Sequence, residues 1–279
     1  MQSPIISFQV ITDTHVTTER DHIYNRHLEQ ALLDIAAHST NSIGIMHVGD
    51  VTDHGLRAEY AEFVRIWEAC KAGLPDMQFT FGNHDLFLGD WSSQLKLYES
   101  YTGMNGAYYD KWLQGYHFIF LGSEQGGLKD FAYLTEEQLA WLDRKLGEDA
   151  SSSKPVFVFL HQPLKDTVAG SLEGQGWHGV IQDEELKAIL AKHPQTIMFN
   201  GHTHWELEAG HACFEGKGIT ATLFNAASVA YLWTNADEYK EGSQGYYVDV
   251  YEDKVIVRGR DFVTSSWIDK ERYEVKLQK

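Results

Sequence analysis

The sequence predicts an α/β protein made of two stacked β-sheets with helices on their outer faces. Three observations carry that expectation. Strand-like apolar runs alternate with helical periodicities through the first two-thirds of the 279 residues. From about residue 205 onward the signals are nearly all strand. Five short polar blocks, spread from residue 13 to residue 204, each stand at or just after the end of an apolar run. One site must therefore draw on most of the chain, which predicts a single domain over 1–279 with a mostly β C-terminal part from about 205.

Each element has its own signal. Residues 5–11 read as a buried strand. Leu28, Ala31, Leu32, Ile35 and Ala36 recur at helical spacing within 24–38, and 43–48 is the second strand. Tyr60, Phe63, Val64, Trp67 and Cys70 form the apolar stripe of a helix over 58–71. Residues 78–81 are a short third strand, and 91–101 a helix ended near Gly103. Residues 107–122 read as two strands turning at Gln114-Gly115. Thr135 stands three residues before Gln138, a capping pattern that opens a helix running to about Leu146. The polar, Ser-rich stretch 147–154 is a surface loop. Residues 156–160 form a strongly β-prone strand that delivers His161. The last clear helix is 183–193, followed by a strand over 196–199. Strands over 219–225, 246–251, 254–260 and 273–277 complete the chain, with a hairpin at Glu252-Asp253.

Hydrophobic residues make up 43% of the chain and aromatics 13%, enough for a sizeable core. No apolar run approaches the length of a membrane-spanning helix, and the N-terminus passes straight into a strand, so the default expectation is a cytoplasmic protein without a membrane partner. The formal charge of −17 argues against tight binding to a nucleic-acid polymer or an anionic membrane, because no basic surface displaces counterions. Two divalent cations would offset about four of those charges. Cys70 and Cys213 are far apart in no metal-like spacing. Cys70 reads as a buried thiol, and no disulfide framework is expected.

The five blocks are Asp13-Thr14-His15, Gly49-Asp50-Val51-Thr52-Asp53, Gly82-Asn83-His84-Asp85, the lone His161, and Gly201-His202-Thr203-His204. Asp, Asn and His converging from several strand ends make an oxygen- and nitrogen-rich cage for divalent metals, the kind that activates water against a phosphate. Asp13 and His15, two apart on an extended segment, point to the same side. Gly49 allows a tight turn, and Asp50 sits where a carboxylate reaches two cations through its two oxygens. Asn83 offers a neutral oxygen, and His84 beside it faces the substrate. His202 and His204 present two imidazoles just after a strand, while Thr14 and Thr203 between the donors point away. Each block alone also has an ordinary reading, as a surface strand end or an Asx-type turn. Five in order favour the metal site.

The order Asp-x-His, Gly-Asp-x-x-Asp, Gly-Asn-His-Asp, His, Gly-His-x-His resembles the calcineurin-like metallophosphoesterase superfamily, with all five motifs intact. The resemblance implies a four-layer α/β/β/α sandwich of two mixed sheets flanked by helices, with a binuclear metal centre at the strand ends. By the same resemblance Asp13, His15 and His204 hold one metal and Asn83, His161 and His202 the other, with Asp50 bridging. His84 contacts the phosphate and the leaving group, and Asp53 orients it. Asp13-x-His15 and Asp53 differ from the pattern of purple acid phosphatases, which place a metal-binding Tyr where Asp53 stands. The pattern is closer to the bacterial phosphodiesterases.

The expected function is thus metal-dependent hydrolysis of a small-molecule phosphoester, most simply a diester, by hydroxide attacking phosphorus in line. The expected cofactors are two divalent or trivalent transition metal ions, Mn, Fe or Zn first among them. A phosphomonoesterase, including a protein phosphatase, is the nearest alternative. A nuclease is disfavoured by the acidic charge. A non-catalytic metal-binding scaffold is disfavoured because His84 and every donor are present. Around the site, Asn83, His84, Trp177 and His178 are candidate substrate contacts. The last two belong to the Gly-rich loop 170–179, which reads equally as a substrate wall or an ordinary loop. It lacks Gly-Lys-Ser/Thr and is not a P-loop. His54 reads as reaching the cleft or the solvent, and His22, His27, His38 and His193 as surface residues. Tyr231, Leu232 and Trp233 read as core or rim packing.

Overall fold

The computed structural model describes residues 3–39, 41–151 and 153–277. In chain order the first elements are β1 (Ile6–Ile11), α1 (Ile23–His38), β2 (Ser42–Val48), α2 (Arg57–Cys70), β3 (Met77–Thr80) and α3 (Trp91–Thr102). They are followed by β4 (Tyr109–Leu113), β5 (Tyr116–Phe120), α4 (Glu136–Gly147), β6 (Val156–Phe159), α5 (Asp183–Ala191) and β7 (Thr196–Asn200). The remainder is β8 (Cys213–Phe214), β9 (Thr222–Asn225), β10 (Leu232–Trp233), β11 (Tyr239–Lys240), β12 (Gln244–Val250), β13 (Lys254–Asp261) and β14 (Ser266–Lys276).

The first sheet has the order β14-β13-β12-β1-β2-β3, and the second β4-β5-β6-β7-β9-β8. Within the first, β1, β2 and β3 are parallel and β12 runs antiparallel to β1. Within the second, β5, β6, β7 and β9 are parallel between antiparallel edges β4 and β8. Both sheets are therefore mixed, as expected. Alternation along the strands builds the layers. Ile6, Phe8 and Val10 of β1 meet Phe118, Phe157, Phe199 and Phe224 of the other sheet in one core between the sheets. Ile11 and Ile45 instead face Leu28, Leu32, Tyr60 and Phe63 of α1 and α2. Met198 and Val158 face Leu142, Leu186 and Leu190 of α4 and α5. The result is a four-layer α/β/β/α sandwich. Each fully buried Phe of the central layer contributes about 1.5–3 kcal/mol by leaving water.

The helix ends follow local chemistry. Thr135 caps α4, its hydroxyl accepting from the Gln138 N–H at 3.1 Å. Asp90 caps α3 through the Ser93 N–H at 3.0 Å, and Gly103 closes that helix with φ of 72°. The structure departs from the sequence expectation in three places. The final strand is eleven residues long rather than 273–277, because Ser266–Lys276 is a polar edge strand whose outer face needs no apolar alternation. Leu232–Trp233 and Tyr239–Lys240 pair as a small ribbon outside both sheets. His27 is not on the surface: it is 2% exposed, and its Nδ1–H donates to the Ala230 carbonyl at 2.8 Å. Both cysteines are free, Cys70 buried as expected. Among the described residues no helix is long and apolar enough to cross a membrane.

Candidate metal centre

The C-terminal ends of β1, β2 and β3 in one sheet and of β6 and β7 in the other come together at one edge of the sandwich. The five blocks lie there. Asp13, His15, Asp50 and His204 each bring one donor atom within 4.8 Å of the others. His204 Nε2 is 2.9 Å from Asp13 Oδ1 and 3.1 Å from His15 Nε2. His15 Nε2 is 3.6 Å from Asp50 Oδ2, and His161 Nε2 is 3.2 Å from the same oxygen. The His202 ring lies 5.2 Å from that of His161.

The backbone that delivers these groups is not the extended strand that the Asp13/His15 spacing implied. Asp13, His15, Asp50, His202 and His204 all have left-handed φ, between 40° and 71°. Each such residue costs on the order of 1 kcal/mol or more, and surrounding hydrogen bonds must sustain it. The Asp13 N–H donates to the Gly49 carbonyl at 2.9 Å and the His15 N–H to the Asp50 carbonyl at 3.1 Å. The side chains converge because the chain turns at five of the seven donors, not because a strand alternates. Close approach also depends on glycine. Gly49 has φ of 93°, and a Cβ there would come within 2.6 Å of the His161 ring. A Cβ on Gly82 would overlap the Asp50 carboxylate.

Each carboxylate has one oxygen held by the protein and one left over. Asp13 Oδ2 accepts from the Thr12 hydroxyl at 2.6 Å and the His202 N–H at 3.0 Å, while Oδ1 is buried without a partner. Asp50 Oδ1 accepts from the His84 N–H at 2.9 Å. Oδ2 of Asp50 faces both imidazoles.

The imidazoles are oriented in the same way. His15 Nδ1–H donates to Asp53 Oδ1 at 3.2 Å and His161 Nδ1–H to the Val48 carbonyl at 2.7 Å, so both Nε2 atoms point inward. Asn83 Oδ1 and His202 Nε2 are also buried and unpartnered. Thr14 and Thr203 turn away as expected, donating to the Val51 carbonyl at 2.9 Å and to Asn225 Oδ1 at 3.2 Å.

Carboxylate and imidazole donor atoms crowded together in a dry site need positive charge among them, from protons or from metal ions. The titration behaviour carries the same message. Burial alone would depress His15 and His161. The Asp13 carboxylate 3.7 Å away and the hydrogen bond to Asp53, with the Asp50 charge, instead push His15 up to about 10. The charges of Asp50 and Asp13 push His161 up to about 9. Burial penalises the Asp13 and Asp50 charges too, but His204 and His161 beside Asp13, and His161 and His84 beside Asp50, hold both carboxyls below the usual range. Burial, then the charge of His161, lowers His202 to about 3. The donor set fits di- or trivalent transition metals: neutral imidazoles, anionic oxygens and one amide oxygen.

His84 stands beside this cluster, its ring 4.6 Å from that of His15. Its Nδ1–H donates to the Asp53 carbonyl at 2.7 Å, which leaves Nε2 for the cleft. Asp53 therefore holds His84 through its backbone carbonyl, and its carboxylate goes to His15. Trp177 lies 6.1 Å from the His202 ring. The loop that carries it is tied to itself by Gln175, whose Oε1 accepts from the Gly170 N–H at 2.7 Å and the Leu172 N–H at 3.2 Å. The His178 ring sits edge-on to that of Phe131 at 6.1 Å. His54 is half exposed and bound to Glu59.

Sequence reasoning gave no role to Asp85, the last residue of the third block. It is wholly buried and accepts from the Val51, Thr52 and Gly82 N–H groups, the Thr52 hydroxyl and the Tyr60 hydroxyl, all within 3.0–3.2 Å. It ties the second block to the third, and a carboxylate inside an otherwise neutral turn was the available signal. Tyr231 was read as rim or core packing. Its ring is 4.3 Å from that of His204 and is stacked on Tyr24.

The sequence model of the family described as "Calcineurin-like phosphoesterase" matches residues 6–206. A Synechococcus protein named "Probable cyclic nucleotide phosphodiesterase" is 29% identical over 211 residues, covering 72% of this chain and 75% of its own. A protein of Arcobacter nitrofigilis named "Probable glycerophosphodiester phosphodiesterase" is 26% identical, covering 70% of each chain. The crystal structure of a dimetal phosphatase from Danio rerio superposes with a TM-score of 0.75 over 99% of this chain and all of the other, at 17% identity, which is a likeness of fold.

Proposed function

Because the chain belongs to the calcineurin-like phosphoesterase family and is a metal-dependent phosphohydrolase, we propose that it hydrolyses small phosphodiesters at the donor cluster described above. The family and the Asp/His clusters together indicate a dinuclear metal site. In this reading Asp13, His15 and His204 would hold one metal, Asn83, His161 and His202 the other, and Asp50 would serve both. The observation that carries it is the set of buried carboxylate, amide and imidazole donor atoms aimed at one another at a single point. The relatives named above support the diester substrate. The net charge of −17 speaks for a small molecule over a nucleic-acid polymer or a membrane. Mn, Fe or Zn is the proposed occupant, residues 1–279 are read as one domain, and the two free thiols suit the cytoplasm.

When bound, the metals supply a water of lowered pKa and positive charge for the phosphoryl oxygens. The protein's own groups do the rest. His84, fixed by the Asp53 carbonyl and anchored through its N–H to Asp50, presents Nε2 to the leaving oxygen and delivers a proton to it. Trp177, above His202, and His178 form part of the substrate wall, and the Asn83 amide contacts the phosphate as well as the metal.

The test is a paired assay of bis-p-nitrophenyl phosphate and p-nitrophenyl phosphate with Mn, Zn, Fe, Co or Ni added in turn to stripped protein. Faster turnover of the diester is expected. A strong monoester preference would overturn the diesterase reading.

A further inference from the structure

Aromatic rings flank the donor cluster on two sides. On the His84 side, Phe87 stacks on His84 with centroids 5.6 Å apart. A cavity of about 230 Å³ opens there, with Asn83, Gln162, Phe87 and Phe131 in its lining. On the other side, the Tyr231 ring stands 4.3 Å from that of His204 and 5.8 Å from that of His15. It is stacked on Tyr24 at 5.2 Å and on Tyr239 at 5.7 Å, and Trp233 meets it edge-on at 6.0 Å. None of these four rings is buried, and Tyr239 is 53% exposed.

Core packing does not account for this wall. Alternation along 231–233 sends Leu232 into the core between the sheets, while Tyr231 and Trp233 stay outside all three hydrophobic cores, as do Tyr24 and Tyr239. The ribbon of β10 and β11, which carries Trp233 and Tyr239, belongs to neither large sheet. It is nevertheless tied to the donors. The Trp233 N–H donates to the His204 carbonyl at 2.9 Å, and the Ala230 N–H to the Asp13 carbonyl at 3.0 Å. The Ser228 hydroxyl donates to that same Asp13 oxygen at 3.1 Å. The chain on both sides of Tyr231 is thus fixed to the backbone of two donors, and the ring is fixed with it.

A phosphodiester has two arms, one that leaves and one that stays on phosphorus. In-line displacement puts the leaving oxygen opposite the attacking water, at His84 Nε2, so the leaving arm runs over Phe87 toward the cavity. The arm that stays lies across that line, and the Tyr231 wall is the aromatic face on the side away from His84. We propose that Tyr231, with Tyr24 and Tyr239 beside it, seats the ester arm that remains on phosphorus, and that the wall favours a flat arm over a small alkyl one. Tyr231 and Tyr239 are then specificity-determining residues for the half of the substrate that the monoester product keeps. The inference rests on the diesterase reading of the same site.

The experiment compares bis-p-nitrophenyl phosphate with methyl p-nitrophenyl phosphate in wild type, Tyr231→Ala, Tyr239→Ala and Phe131→Ala, each checked for metal content. Both esters release p-nitrophenol, so the leaving arm is constant and only the retained arm changes. The ratio of their kcat/KM values should fall about tenfold from wild type to Tyr231→Ala, chiefly through KM for the aryl ester, the scale of one lost aromatic contact. Tyr239→Ala, one ring further from the donors, should lower it about two- to threefold. Phe131→Ala should leave it unchanged. If Tyr231→Ala loses metal, Tyr239→Ala decides by the same ratio. An unchanged ratio in the tyrosine variants, or a fall in Phe131→Ala instead, overturns the proposal. Calorimetry on metal-loaded protein separates this failure from that of the diesterase reading. If neither ester is cleaved, tighter binding of phenylphosphonate than of methylphosphonate, weakened by Tyr231→Ala, still supports the wall. Equal binding of the two, or a difference that Tyr231→Ala leaves intact, overturns it.

Discussion

The donor cluster and the cavity beside it share Asn83 but are built by opposite rules. In the cluster nearly every side chain is buried, held at one atom and free at another, and five of the donors sit on left-handed backbone. In the cavity the rings of Phe87 and Phe131 stand half in solvent, and the Gln162 amide is unheld. The first region stores strain to fix a charge arrangement. The second presents faces that other side chains of similar size can replace. Chemistry is thereby separated from selection: variants in the cluster should abolish turnover on every substrate, and variants in the cavity should re-rank substrates.

Asp50→Ala gives the largest expected break. It removes the oxygen that faces both His15 and His161, so metal content by mass spectrometry should fall together with activity. The loss should be about a thousandfold or more in kcat, the several kcal/mol that bound metals supply. Full metal occupancy in this variant would contradict the bridge. His84→Ala is the next. It leaves the donors intact, so metal content should stay near normal while kcat falls about a hundredfold or more on all substrates. Unchanged kcat would remove His84 from the proton-transfer role.

Asp85→Asn tests the support beneath the cluster. The amide keeps the shape but offers one acceptor oxygen where five donors converge. Metal affinity should drop about 10- to 100-fold, as for other residues that orient metal ligands. Affinity within twofold of wild type, measured by competition with a chelator, would show that the turn holds without the charge.

The same contrast explains what could be read from the chain. The layers were legible because alternation in β1 and helical spacing in α1 and α2 reflect one-sided burial. The donors were legible because few residue types bind such metals, and each block is local in sequence. Their exact delivery was not: the left-handed turns at Asp13 and His15, and the Asp50 oxygen that faces both imidazoles, depend on hydrogen bonds to Gly49, Asp50 and His84 across different strands. Asp53 was read as orienting His84, but a side-chain role and a backbone role look identical in sequence. The cavity was illegible because Phe87, Phe131 and Gln162 come from three loops, and no local pattern relates them. The edge strand β14 hid for a different reason, since an exposed polar strand carries no burial signature.

The smallest expected effect concerns protons in the metal-free protein, and it again divides the two regions. His15 and His161 are raised from 6.5 to about 10 and about 9 by neighbouring carboxylates that outweigh burial. Their contribution to stability is complete below about pH 6.5 and is lost as pH rises through about 9–10. Buried His202, lowered to about 3, works the other way: its contribution is present above about 6.5 and is lost as pH falls toward 3. Chelator-stripped protein should therefore show a falling Tm between about pH 7 and 10. Metal-loaded protein should not, because cations take the place of those two protons and metal binding releases them. A stripped protein whose Tm stays level across that window would mean that the carboxylates do not hold protons on His15 and His161. Phe131→Ala should reproduce the wild-type profile in both states, because the cavity side chain it removes exchanges no proton.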